Sequence, residues 1–149
     1  MTPHAAEIAP PEDLSIFYRI KRIVQELPDL KFADAAGHSD IPLFCHLLCR
    51  GLSEFFPVKV QAGWLMEAWE HSWLLTRNGL VIDPYPVAAI GGPLMLDTRY
   101  ITPWTEMYTQ AVFGCFLEHR SPFFLANVSR VAAAIRTFAG RLGICCDIN

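Results

Sequence analysis

His71-Ser72-Trp73-Leu74-Leu75-Thr76-Arg77-Asn78-Gly79-Leu80-Val81-Ile82-Asp83-Pro84 reads as two short strands folded back on one turn. Asn78-Gly79 supplies the positive φ angles that a tight hairpin needs. Counted back from that turn, His71 and Asp83 stand at the far ends of the two strands and can face each other across the pair. A carboxylate that accepts one ring N–H fixes the tautomer of a histidine and leaves its other nitrogen to act as a base.

Upstream of the hairpin, Val58 and Val60 alternate with Lys59 and Gln61, which predicts a half-buried strand reaching Gly63. Trp64, Trp69 and Trp73 are expected to serve as core and groove wall. Before that strand, a helix is expected to start at Ser39, with serine as its cap and Asp40 in its first turn. Pro42 is tolerated there, and Leu43, Phe44, Leu47, Leu48 and Leu52 form a broad apolar face. Gly51 need not end this helix, and Pro57 is its outer limit. A nucleophile at such a helix start gains from the dipole and from backbone N–H groups that can bind an oxyanion. Gly37 lets the chain turn sharply just before it. Ser39 is therefore the candidate nucleophile, His71 the base and Asp83 its orienting group. Cys45 is the rival nucleophile, but on this reading it lies six residues into the helix, away from the free N–H groups, with Cys49 deeper still, and both are expected to be core thiols.

The rest of the chain predicts helices around this centre. Residues 1–11, with Pro3, Pro10 and Pro11, read as a flexible lead-in to a single domain over 12–149. A first helix is expected from Asp13 as cap, with Leu14, Phe17, Ile20, Val24 and Leu27 at helical spacing, stopped by Leu27-Pro28-Asp29. Residues 84–104 read as irregular, with a short strand at Arg99-Tyr100-Ile101. Thr105 to Glu118 reads as a helix. Ser121-Pro122 opens a firmer one, capped by serine and carrying Phe124, Val128, Val131, Ala132, Ile135 and Phe138 on its apolar side. His38, His46 and His119 are expected to be surface or structural histidines.

Gly37-His38-Ser39, the Val58–Gly63 strand, His71-Ser72-Trp73 and Val81-Ile82-Asp83-Pro84 together resemble the transglutaminase-like superfamily, a branch of the papain-like cysteine enzymes. The resemblance implies an α+β fold whose nucleophile helix packs on a small antiparallel sheet, with N- and C-terminal helices covering the remainder. It implies a covalent acyl-enzyme and a peptide, protein or acyl-thioester substrate, with no cofactor or metal. Amide hydrolysis, by a protease or glutamine deamidase, ranks above acyl transfer. Serine at position 39, where the family has cysteine, reads as an engineered replacement. A natural serine enzyme and a non-catalytic binding module are the alternatives.

Composition sets outer bounds. The 149 residues suffice for one buried core. A net charge of −3 without a basic block argues against nucleic acid as a partner. With 52% hydrophobic and 18% charged residues, apolar surface is expected to meet a protein partner. No apolar run has the length of a membrane span, and no signal peptide stands out. Five cysteines, an odd number, predict free thiols in a reducing, cytoplasmic compartment, or a secreted effector without a classical signal. Adjacent Cys145-Cys146 alone make a weak metal motif.

Overall fold

The computed structural model describes residues 9–27, 43–85, 93–103, 105–112 and 117–146. Its first helix, α1, is Pro11–Glu26, with Pro10 at the cap and Pro11 at the first helical position, where a missing N–H costs nothing. The helix thus starts before the expected cap at Asp13, and takes the last residue of the expected lead-in with it. Asp13 is instead buried and accepts hydrogen bonds from Thr76 Oγ1 at 3.0 Å and Asn78 Nδ2 at 3.2 Å. The acid expected to cap the helix ties its first turn to the hairpin. Ile16, Phe17, Ile20 and Ile23 point into the core. Leu27, extended ahead of Pro28, ends the helix as expected.

The second helix, α2, is Cys45–Ser53. This corrects the expected start at Ser39. Leu43 is not helical, and Phe44 is extended at φ −128° and ψ 166°. The first intrahelical bond runs from Leu48 N–H to Phe44 O. Ser39 itself, with Gly37 and His38, lies outside the described residues. As expected, Gly51 stays within the helix.

Five strands follow: β1 Lys59–Leu65, β2 Trp69–Leu75, β3 Val81–Asp83, β4 Leu94–Leu96 and β5 Tyr108–Gln110. They form one antiparallel sheet in the order β4-β3-β2-β1-β5. The β2–β3 turn forms as read, with Gly79 at φ +81° and Thr76 N–H bonded to Leu80 O. Strand β4 falls inside the stretch expected to be irregular. Residues 99–101 are not a strand, because Arg99 folds back on Asp97 through its backbone N–H and its guanidinium. The expected helix at 105–118 is absent from its described part: a 3-10 turn at Thr105–Met107 leads straight into β5, and a second spans Leu117–Arg120. The last helix, α3, is Pro122–Arg141, and Ser121 Oγ accepts the Phe124 N–H as its cap.

Period-two alternation gives the sheet two apolar faces. Leu74, Ile82 and Met95 join the main core with Phe17, Leu48, Leu52, Val131 and Ile135 of the three helices. Trp73, Val81, Leu94 and Leu96 form a second cluster, with Leu75 and Tyr108 against it. Trp73 is buried, but Trp64 and Trp69 are exposed rather than core. The fold is α+β, and no described helix is long and apolar enough to cross a membrane.

Candidate active site

The β2–β3 register pairs Leu75 with Val81 and Leu74 with Ile82. One step further, Asp83 lies opposite Trp73 and diagonal to His71, on the same face. The side chains meet: His71 Nε2 and Asp83 Oδ2 are 2.7 Å apart, with both groups buried. Asp83 is 0% exposed and accepts two further bonds, from Tyr108 O–H to Oδ2 at 2.7 Å and from Tyr85 N–H to Oδ1 at 3.1 Å. The bond to Tyr85 is the local turn that an aspartate before proline makes. One carboxylate thus both shapes the strand exit and orients the histidine.

A third side chain near this pair is Cys45, and the start of α2 explains how it arrives. Ser72, next to His71, accepts at its backbone oxygen from Cys49 Sγ at 3.2 Å, and its hydroxyl lies 2.6 Å from His46 Nδ1. Two contacts from α2 to one strand residue fix the helix against β2. They bring Cys45, the residue before His46, close enough to His71 for its thiol to act on the pKa of the imidazole. With Nε2 given to Asp83, Nδ1 is the ring nitrogen left for the thiol. Cys45 is the first helical residue, so its N–H has no acceptor within the helix. The reason for treating it as a mid-helix core thiol no longer holds.

The electrostatics follow from this packing. Burial pushes the His71 pKa down, but the hydrogen bond to Asp83, the nearby Cys45 thiol and the charges of both outweigh it and raise the pKa from 6.5 to about 9. His46 is driven the other way, to about 3, first by burial and then by the charges of His119, His71 and Arg50. It packs on His119 at 4.3 Å between ring centroids, and His119 stacks on Phe124 at 4.6 Å. This aromatic column buttresses the start of α2. Burial raises the Cys49 thiol well above its usual range, which suits the core role expected of it.

The sign of the resulting pH dependence is fixed. A folded pKa above the unfolded one stabilises fully below pH 6.5, and that contribution is lost as pH rises through about 9. A histidine NMR titration should find His71 still protonated at pH 7.5. The stability difference between wild type and His71→Ala should shrink from pH 6.5 to pH 9.5.

The sequence reading had His71 and Asp83 facing each other across the hairpin, and the structure sets them 2.7 Å apart; it set Cys45 aside and did not include Tyr108. Cys45 carried a signal in its spacing from Cys49, four residues on, which puts both thiols on one helical face toward β2. Tyr108 carried none. Among the described residues, no group of three or more His, Cys, Asp or Glu side chains could hold a metal ion. A cleft of about 600 Å³ opens at the other end of β2, lined by Lys59, Thr76 and Arg77 among others; none of Cys45, His71 and Asp83 lines it.

No protein-family model, curated protein or solved structure matches this chain.

Proposed function

We propose that this protein is a thiol enzyme that cleaves an amide through a covalent acyl-enzyme, with Cys45 as nucleophile, His71 as acid and base, and Asp83 as orienting group. One observation carries the reading: Asp83, on β3, holds the buried His71 imidazole at 2.7 Å, and the first turn of α2 sets Cys45 near the same ring. The Cys45 sulfur attacks the carbonyl carbon, and the oxyanion is met by the Cys45 N–H at the helix start. The C–N bond breaks as the His71 imidazolium gives its proton to the departing amine. Neutral His71 then takes a proton from water, whose oxygen displaces the sulfur and releases the acid. A protease and a glutamine deamidase share these steps. Transfer to an amine acceptor in place of water is the acyltransferase form, and a thioester substrate would enter by the same attack. Moving the nucleophile to Cys45 keeps the transglutaminase-like resemblance in His71-Ser72-Trp73 and Ile82-Asp83-Pro84, and it removes the need for an engineered serine at position 39.

The test needs no substrate. Iodoacetamide labelling, read cysteine by cysteine from pH 5 to pH 9, should find Cys45 about 100-fold faster at pH 6 than in His71→Ala, because an ordinary thiol is almost wholly protonated there. Exposed Cys145 and Cys146 supply the ordinary rate in the same sample. A Cys45 rate that tracks theirs and ignores His71 would overturn the enzyme in favour of a binding module.

A further inference from the structure

We propose that Tyr108 is a positioning residue of this site, sharing Asp83 Oδ2 with His71 and so setting how strongly the carboxylate holds the imidazole. The inference rests on the reading of Cys45, His71 and Asp83 given above.

Two donors, His71 Nε2 and the Tyr108 hydroxyl, meet one carboxylate oxygen at 2.7 Å each. The other oxygen is held by Tyr85 N–H, so the carboxylate cannot rotate to give each donor its own oxygen without losing the turn. Tyr108 comes from β5, at the edge of the sheet beyond β1, and pairs with Leu65. Its reach to β3 shows how far the sheet curls. The ring is fixed edge-on against Trp73 at 5.2 Å and lies 6.3 Å from the His71 ring. The other groups facing this centre are Cys45, His46 and Cys49 from α2 and the Tyr85 ring at 6.5 Å. Burial, then the Asp83 charge and the hydrogen bond to it, raise the Tyr108 pKa, so the hydroxyl remains a donor.

A carboxylate oxygen that serves two strong donors gives less of its charge to each. The imidazolium depends on that charge more than neutral imidazole does. Tyr108 therefore weakens the grip on the proton of His71, and keeps His71 able to surrender it to a leaving group.

The experiment is an NMR titration of His71 in three proteins: wild type, Tyr108→Phe, and the chain with 3-fluorotyrosine at position 108, a stronger donor. Tyr108→Phe keeps the ring against Trp73 and should move the His71 pKa up by about 0.5–1 unit. The fluorinated protein should move it down. The upper limb of the Cys45 labelling profile should follow in each case. No shift in either protein, or shifts of the same sign, would overturn the proposal. If Tyr108→Phe fails to fold, the fluorinated protein still decides it. Labelling that depends on His71 while its titration ignores Tyr108 removes this proposal alone. Labelling that ignores His71 removes the enzyme reading, and the titration still judges Tyr108.

Discussion

Asp83→Ala should destabilise the protein by about 3–5 kcal/mol in urea unfolding and abolish the low-pH reactivity of Cys45. The size follows from what is stranded. His71 Nε2, the Tyr108 hydroxyl and the Tyr85 N–H all converge on a carboxylate that water does not reach. Removing one partner of a buried charged pair costs far more than the pair contributes net, because the survivors stay desolvated. Asp83→Asn separates stability from chemistry. It keeps the shape and one acceptor oxygen, so the stability loss should be smaller. The amide nitrogen cannot accept, and an asparagine does not hold an imidazolium, so Cys45 labelling at pH 6 should still fall about 100-fold. An Asp83→Asn protein that labels like wild type would show that the carboxylate serves only the turn.

Gly51→Ala should cost about 1–2 kcal/mol, against the usual rule. Replacing a helical glycine by alanine normally stabilises by about 1 kcal/mol. Here an added Cβ would stand 2.5 Å from Val131 Cγ1 and 3.0 Å from Ile135 Cδ1, where α2 crosses α3. Overpacking of about 1–3 kcal/mol outweighs the gain in propensity. The combined variant Gly51→Ala, Val131→Ala should lose less than the two single losses added, since the second change opens the space that the first needs. Additive losses would mean that the helices part without strain. The measurement is the urea midpoint of all four proteins.

The sequence made the hairpin legible because its information is local. Asn78-Gly79 sets the turn, the period of two sets the faces, and the distance from the turn sets which residues meet. The cap of α3 was legible for the same reason, since Ser121 and Phe124 are neighbours on the chain. The start of α2 was not. Ser39 and Asp40 are good local start signals, yet Phe44 is extended and partly buried against the core, and the helix begins where His46 and Cys49 can reach Ser72. Packing between distant segments decided that boundary, and with it which side chain faces His71. Strands β4 and β5 were hidden for a related reason. Three residues are too few to show a period, and each strand exists through a partner: Leu94–Leu96 through β3, Tyr108–Gln110 through β1. Tyr108 could be recognised only once the curl of the sheet brought it to Asp83.

His71 and Asp83 belong to a single hairpin, whereas Cys45 reaches them on a helix from an earlier part of the chain. Closing a short loop sacrifices little chain entropy; docking a distant helix demands the whole core. On the proposed reading, base and carboxylate are a local unit, and the thiol is armed only by tertiary assembly. A chain still emerging, or partly melted at α2, would carry an ordinary cysteine. The reactivity of Cys45 would then report on the integrity of the fold, and the protein would acquire its chemistry last.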